Sequence, residues 1–181
     1  MVRVIGGRAR GARLEVPRGQ VVRPTTDRVR EALFNVLAHR FEGPCDDALV
    51  LDLFAGAGTL GVEALSHGAR SAVFVEANAS VVAVLQRNAE KAGGAFRVVR
   101  STVARFLRGV ATAFDLVFMD PPYGDADIAP ILEALVSEGW LAEGALICVE
   151  TGSADDVPEV TGLDLAFSRT YGNSTISIYC P

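Results

Sequence analysis

Five apolar runs of strand length recur between residues 48 and 150, and a segment with helical spacing follows each of the first four. The first run is apolar throughout except at Asp52, which is typical of a strand buried on both faces of a parallel sheet. Strands that alternate with helices form β-α-β units. The sequence therefore predicts an α/β fold with a mostly parallel sheet. The predicted strands are 48–54, 71–76, 96–100, 115–119 and 145–150, and the predicted helices are 59–66, 78–92, 103–110 and 128–135.

The two ends of the chain carry different patterns. Residues 163–171 and 175–180 alternate in polarity around Gly172-Asn173-Ser174, which predicts a closing antiparallel hairpin and a seven-stranded sheet. Residues 3–22 show short alternations broken by glycine and proline, which predicts a small β-hairpin, and a helix is predicted over 27–41. We expect two parts, an amino-terminal basic β-hairpin arm (1–22) and a single compact domain (23–181).

Charge is unevenly distributed along the chain. Residues 1–40 hold nine arginines against Glu15, Asp27 and Glu31, a local net charge of +6, while the whole chain carries −5. The remaining residues therefore carry −11. A basic arm on an acidic body is expected of a protein that grips a polyanion with one face.

Composition excludes several classes of protein. No stretch reaches the ~18 to 20 consecutive apolar residues of a membrane span, and the glycine-rich start does not resemble a signal peptide, so we expect a cytoplasmic protein. Cys45, Cys148 and Cys180 are widely spaced without a Cys-x-x-Cys pair. Neither a disulfide framework nor a metal site is expected.

A glycine-rich loop follows the first strand of the predicted sheet. Residues 56–61 match G-x-G-x-x-G, and Glu76 lies 20 residues after Gly56, an arrangement that can hold the ribose of either NAD or S-adenosylmethionine. Two features favour S-adenosylmethionine. Asp52 is placed to meet a cationic amino group, and the chain has no room for a separate dehydrogenase substrate domain.

The sequence Asp120-Pro121-Pro122-Tyr123 follows the apolar run 116–119. The lone pair of an exocyclic base amine is delocalised into the ring, so methylation requires fixed acceptors that localise it. The Asp120 carboxylate and the Pro121 carbonyl can each accept an amine hydrogen, Pro122 stiffens the loop, and Tyr123 can stack on an extruded base. These four residues are the predicted catalytic group.

The chain resembles the RsmD-type bacterial 16S ribosomal RNA guanine-N2 methyltransferases over nearly its whole length. The likeness rests on Arg-Pro-Thr-Thr-Asp-Arg-Val-Arg-Glu at 23–31, Leu-Phe-Asn at 33–35, Val-Ile-Gly-Gly at 4–7, the loop 52–61, the loop 120–123, Gly-Trp-Leu at 139–141 and Val-Glu at 149–150. The resemblance implies a Rossmann-like class I fold, S-adenosylmethionine as donor, and a guanine of 16S ribosomal RNA as acceptor, presented on a 30S particle or assembly intermediate. It also implies that the arm helps to grip RNA.

We expect the protein to act as a monomer. The same arguments assign residues to two further sites, one for the cofactor and one for nucleic acid. One departure from the family is Ser101-Thr102 after the third strand, where the family tends to carry Asn or Asp against the adenine amine. The cofactor-binding candidates are Asp52, Phe54, Gly56, Gly58, Thr59, Glu76, Thr102 and Thr26, and the nucleic-acid-binding candidates are Arg8, Arg10, Arg13, Arg23 and Arg28.

Three alternatives remain open at the level of sequence. A DNA adenine or cytosine amino-methyltransferase would use the same Asp-Pro-Pro-Tyr chemistry, although the chain lacks space for a DNA recognition domain. A dinucleotide-dependent oxidoreductase would use the same glycine loop. A non-catalytic RNA-binding assembly factor would not need an intact loop at 120–123.

Overall fold

The computed structural model describes residues 2–17, 27–122 and 128–181. A small sheet pairs β1 (Val2–Arg3) with β2 (Arg13–Leu14), and a seven-stranded sheet forms the body. The remaining elements are α1 (Asp27–Arg40), β3 (Leu49–Leu53), α2 (Thr59–Ser66), β4 (Ser71–Glu76), α3 (Ala79–Ala92), β5 (Ala95–Arg100), α4 (Val103–Leu107), β6 (Phe114–Met119), α5 (Ala129–Ser137), β7 (Leu141–Gly152), β8 (Asp164–Tyr171) and β9 (Ser174–Cys180).

The main sheet has the strand order β5-β4-β3-β6-β7-β9-β8, which confirms the predicted fold class. Strands β3 to β7 are parallel, and β9 and β8 close the sheet as an antiparallel hairpin. The chain moves outward from β3 to β5 and then returns to the other side of β3 as β6. Open α/β sheets bind ligands at the carboxyl ends of the strands where such a reversal occurs. The fold therefore directs attention to the ends of β3 and β6.

Helices cover both faces of the sheet. The first three helices pack on one face, where Phe34 of α1 contacts Phe118 of β6 with ring centroids 5.8 Å apart. The other face packs against α4 and α5, and there the buried Trp140 lies between Phe106 and Phe114. No helix in the described part of the chain is long and apolar enough to cross a membrane.

Most elements lie within about two residues of their predicted bounds, and two depart further. The strand predicted over 145–150 begins at Leu141, with an irregularity in its pairing to β6 between Phe114 and Leu116. The helix predicted over 103–110 ends at Leu107, and Val110, expected on its apolar side, is 95% exposed. Because Arg108 already caps this helix, its apolar spacing does not continue to Val110.

The described residues of the predicted arm, 2–17, form a short antiparallel hairpin that is docked on the body. The carboxylate of Glu63, in α2, accepts the backbone N–H groups of Ile5, at 3.0 and 2.9 Å, and of Gly6, at 2.6 Å. The hydroxyl of Ser66 donates to the carbonyl of Gly6 and accepts the N–H of Ala9. Helix α2 therefore holds the connection between β1 and β2 by side-chain contacts.

A buried ion pair lies beneath this docked segment. Arg30 of α1 and Glu63 have side chains that are 0% and 1% exposed, with Nε and Oε2 3.5 Å apart. Arg30 Nη2 donates to the carbonyl of Arg3 at 2.6 Å and to Asp27 Oδ1 at 3.0 Å. The pair thus joins the arm, α1 and α2 at one point.

Candidate active site

The two predicted functional loops leave adjacent strands at the same level of the sheet. Leu53, the last residue of β3, is the register partner of Met119, the last residue of β6. The glycine-rich loop begins at Phe54 and the Asp-Pro-Pro loop begins at Asp120. The structure therefore brings together two motifs whose first residues, Asp52 and Asp120, are 68 positions apart in the sequence.

The backbone of the glycine-rich loop turns sharply at the end of β3. Phe54 has φ 61°, a left-handed conformation that side chains with a Cβ rarely adopt, and Gly56 and Gly58 follow with φ 52° and 81°. A non-glycine residue in this region costs on the order of 1 to 3 kcal/mol and tends to occur at functional sites. The strain at Phe54 therefore supports its assignment to a binding loop.

The three glycines of the loop are required for different reasons. A Cβ on Gly61 would lie 2.3 Å from Cε1 of Phe74, and a Cβ on Gly58 would lie 2.3 Å from Cδ1 of Leu85. These two glycines allow α2 to pack closely on the core. A Cβ on Gly56 would meet only the Phe54 carbonyl, at 3.9 Å, so the backbone there borders open space that a ligand can approach.

Glu76, at the end of the neighbouring strand β4, holds the glycine-rich loop by a hydrogen bond. Its Oε2 accepts the N–H of Gly56 at 2.9 Å, and its Oε1 accepts the N–H of Asn78 at 2.6 Å. Each carboxylate oxygen has two lone pairs, so one on each remains for a ribose hydroxyl. Glu76 can therefore position the loop and receive a ribose at the same time.

Asp52 is 2% exposed and has a structural contact that the sequence did not predict. Its Oδ2 accepts the N–H of Gly61 at 2.9 Å, which caps the start of α2 where Gly58 offers no side-chain cap. Burial raises the pKa of Asp52 to about 7, the Gly61 hydrogen bond opposes this rise, and the charge of Glu76 adds to it. Its contact with a cationic amino group remains a prediction.

Thr102 and Thr59, both cofactor candidates, occupy helix starts at this edge of the sheet. Thr102 caps α4, where its hydroxyl accepts the N–H of Arg105 at 3.3 Å, and the neighbouring Ser101 donates its N–H to the Glu76 carbonyl at 3.1 Å. Thr59 is the first residue of α2 and is partly buried. Both lie near the glycine-rich loop, while their contact with a cofactor remains a prediction.

The Asp-Pro-Pro loop projects from β6 beside the glycine loop. Asp120 is half-buried, Pro121 is buried and Pro122 is exposed. Two consecutive prolines fix the backbone, which holds the Pro121 carbonyl and Asp120 in place. Tyr123, the fourth predicted catalytic residue, lies outside the described residues, as do Thr26 and Arg23.

The arginines predicted to bind nucleic acid have different surroundings. Arg8 donates from Nε to the carbonyl of Ala92 at 2.9 Å, so it caps the carboxyl end of α3. Arg10, Arg13 and Arg28 are exposed. RNA binding by these residues remains a prediction.

Asn88 is a further residue near the site that the sequence did not predict. It is fully buried in α3, and its Nδ2 donates to the carbonyls of Ala57, at 2.9 Å, and Glu15, at 3.0 Å, while its Oδ1 accepts the N–H of Glu15 at 2.8 Å. One side chain thus ties the glycine loop to the arm. The available signal was an amide on the apolar side of the predicted helix 78–92.

Within residues 2–17, 27–122 and 128–181, no group of three or more His, Cys, Asp or Glu side chains is placed to hold a metal ion.

Known proteins match the chain over most of its length. Residues 2–180 match the family described as Conserved hypothetical protein 95. Ribosomal RNA small subunit methyltransferase D of Escherichia coli strain K12 is 44% identical over 88% of this chain and 79% of its own length. The Haemophilus influenzae protein of the same name is 36% identical over 88% of this chain and 82% of its own.

A solved structure agrees with these sequence matches. An Escherichia coli protein assigned as a methyltransferase, yhhF, superposes with a TM-score of 0.86 at 40% identity, covering 98% of this chain and 96% of its own. The observed fold is that of S-adenosylmethionine-dependent methyltransferases, and the resemblance found in the sequence is confirmed. The chain belongs to the Conserved hypothetical protein 95 family, which includes ribosomal RNA small subunit methyltransferase D, and it is a methyltransferase.

Proposed function

We propose that the protein transfers a methyl group from S-adenosylmethionine to the exocyclic N2 of a guanine in 16S ribosomal RNA. The register pair Leu53–Met119 is the observation that carries this proposal, because it sets a donor loop and an acceptor loop side by side. The substrate is presented on a 30S particle or an assembly intermediate. The enzyme acts in the cytoplasm as a monomer, without a metal ion.

The donor side of the site fits S-adenosylmethionine. Gly56 leaves space for a ligand to approach the backbone, and Glu76 can accept hydrogen bonds from ribose hydroxyls. Bound S-adenosylmethionine supplies a methyl group on a positively charged sulfur. Asp52 offers a carboxylate to the amino group of the donor, and Phe54 and Thr59 line the turn between β3 and α2.

The acceptor side of the site requires hydrogen-bond acceptors more than a strong base. The Asp120 carboxylate and the Pro121 carbonyl accept the two hydrogens of the guanine amine, which directs the nitrogen lone pair towards the donor. The stiff loop holds both acceptors in position before reaction, so little reorganisation is needed. The amine proton leaves to Asp120 or to water after the methyl group has moved.

The names of the relatives support ribosomal RNA of the small subunit as the substrate. Two proteins at 44% and 36% identity carry the name ribosomal RNA small subunit methyltransferase D. The chain covers 79% and 82% of their lengths, so the compared proteins are of similar extent. The choice of guanine N2 rests on the family resemblance and on the acceptors that an exocyclic amine needs.

We assign the arm (1–22) to RNA contact and the rest of the chain (23–181) to the methyltransferase domain. Exposed Arg10 and Arg13 on the arm, and Arg28 at the start of α1, are available to phosphates. Arg8 contributes by holding the arm against α3. Arg23 and Thr26 stand at the start of the methyltransferase domain in the sequence, and we assign Arg23 to RNA contact and Thr26 to the cofactor.

Methyl transfer to defined RNA tests this function. Tritiated S-adenosylmethionine is incubated with the protein and with either 30S particles or naked 16S RNA from a strain that lacks the enzyme, and the product is digested to nucleosides. We expect N2-methylguanosine, and the preferred form of RNA locates the step in assembly.

Two results would contradict the proposal. Incorporation into adenosine or cytidine, or into DNA alone, would assign a different acceptor. A protein that binds NAD but not S-adenosylmethionine in equilibrium dialysis would instead support the oxidoreductase alternative.

A further inference from the structure

A second basic surface lies on the edge of the sheet opposite β8. It consists of Arg97 and Arg100 on β5 and Arg105 and Arg108 on and after α4, and we call it the β5–α4 patch. All four arginines are exposed. The stretch 91–114 holds five cations and no Asp or Glu, inside a body whose net charge is strongly negative.

The arginines of the β5–α4 patch lack the acidic partners that two other exposed arginines have. Arg70 and Arg87 form ion pairs with Asp47 and Glu15, at 2.6 and 2.8 Å. Across the part of the chain that the structure describes, no carboxylate lies within 4.0 Å of a guanidinium of the β5–α4 patch. Unpaired like charges at one edge create a local positive potential that attracts a polyanion.

The patch is close to the proposed site of methyl transfer. Arg100 is the register partner of Glu76, which holds the glycine loop. Strands β5 and β6 are three spacings apart in the sheet, so the end of β5 lies roughly 14 Å from the end of β6, where Asp120 begins. Helix α4 starts two residues after Ser101 and keeps Arg105 at the same edge.

The turn of the arm lies farther from the carboxyl ends of the strands, where the proposed site is. Arg8 contacts Ala92 at the carboxyl end of α3, while Asn78 caps the amino end of the same helix next to Glu76. A helix of 14 residues is about 21 Å long. RNA whose target base reaches Asp120 therefore passes nearer to the β5–α4 patch than to the turn of the arm.

Protection of an edge strand explains only part of the patch. Charged side chains on an edge strand discourage pairing with other chains, which would account for Arg97 and Arg100 on β5. It does not account for Arg105 and Arg108, which are not on a strand. Contact with a polyanion accounts for all four.

We infer that the β5–α4 patch binds backbone phosphates of the ribosomal RNA segment that flanks the target guanine. This inference rests on the proposed function, because it takes RNA as the substrate. Arginine suits the role, since its guanidinium can contact a phosphate with two parallel hydrogen bonds. Such contacts raise affinity without reading sequence.

The test removes three charges near the site and leaves the rest of the protein unchanged. The variant Arg100→Gln/Arg105→Gln/Arg108→Gln is compared with the natural protein for methyl transfer to 16S RNA and for S-adenosylmethionine binding. We expect kcat and donor affinity to be unchanged and KM for RNA to rise about 10-fold or more. The slope of the logarithm of RNA affinity against the logarithm of salt concentration should become shallower by about 2, since each single-strand phosphate contact contributes about 0.7.

Arg70→Gln is the matched control. Arg70 is also exposed, but it pairs with Asp47 and directly precedes β4, so it lies at the amino-terminal end of that strand and away from the loops that follow β3 and β6. Fluorescence of the buried Trp140 during urea unfolding verifies that all variants are folded. The three single Arg→Gln variants, compared one by one with the control, show whether each position contributes.

The outcomes separate the two proposals. If the natural protein methylates 16S RNA and the triple variant keeps the KM and salt slope of the Arg70→Gln control, the patch does not bind RNA and the function stands. If the natural protein transfers no methyl group to ribosomal RNA, both proposals fail. A lowered kcat with unchanged KM would also contradict the inference, since it would indicate a defect in the site.

Discussion

Replacement of Glu63 by glutamine tests whether the buried ion pair holds the arm on the body. The glutamine side chain would keep the shape of the original but lose its charge opposite the fully buried Arg30. Breaking a buried pair by removing one partner costs about 3 to 5 kcal/mol. The amide also offers one acceptor oxygen where the carboxylate has two, and Ile5 and Gly6 both donate to this group.

The attraction that Glu63 supplies is largely between charges. Nε of Arg30 lies 3.5 Å from Oε2, and Nε and Nη1 have no hydrogen-bond partner among the described residues. Arg30 keeps its contacts with the Arg3 carbonyl and with Asp27 in the variant. We therefore expect a loss of about 3 to 5 kcal/mol in the free energy of unfolding, a large share of the 5 to 15 kcal/mol typical of a domain.

The assay combines two readouts because the arm can detach before the body unfolds. Urea unfolding followed by the single, buried Trp140 reports the body, and tryptic cleavage after Arg10 and Arg13 reports release of the arm. Glu15→Gln is the control, since Glu15 pairs with Arg87 and Lys91 on the exposed surface. The reasoning is refuted if Glu63→Gln matches this control in both unfolding and cleavage.

Three further predictions concern the site. Asp120→Ala should lower turnover about 100-fold or more while leaving donor binding nearly intact in calorimetry, and unchanged turnover would reject its role. Burial raises the pKa of Asp52 from 3.8 to about 7. Between pH 3.8 and about 7 the folded state therefore keeps a proton on Asp52 that the unfolded chain has lost. The contribution of Asp52 to the free energy of unfolding is full below pH 3.8 and falls by up to about 4 kcal/mol as the pH rises through about 7. Asp52→Asn stays neutral and should flatten urea-derived stability over that range; a wild-type pH slope would show that another group titrates. Gly61→Ala should lower the free energy of unfolding by about 1 to 3 kcal/mol or more, because the added Cβ overlaps Phe74. Gly56→Ala should mainly weaken donor binding. The opposite ranking of the two variants in urea unfolding and in calorimetry would contradict the packing argument.

The sequence was informative where local signals determine structure. Helix α2 and strand β4 have their predicted bounds, because Gly58 and Gly68 bracket the helix and an apolar run follows. The α/β alternation predicted the sheet, and the Rossmann-type arrangement follows from it. The site loops were predicted because their residue types reflect backbone geometry and hydrogen-bond chemistry.

Features that depend on distant contacts were not predictable in this way. Glu63 meets Ile5 from 58 positions away, and no local pattern indicates that a helical glutamate will be buried beneath an arm. Asp52 was assigned to a ligand, while the structure also gives it a role in capping α2. The β5–α4 patch was missed because a net charge summed over the whole body hides a basic edge among acidic surfaces.

The Asn88 side chain connects the arm to the glycine-rich loop, the two places that the proposed function assigns to RNA and to the methyl donor. Its amide holds Glu15 of the arm on one side and the Ala57 carbonyl of the donor loop on the other. If bound RNA shifts the arm, the glycine-rich loop must adjust through this shared contact. RNA binding would then change the affinity for the donor, and donor binding would change the affinity for RNA by the same factor. The methyl donor and the RNA would then bind cooperatively. An enzyme that already holds its donor would bind RNA with a different affinity from an enzyme without it.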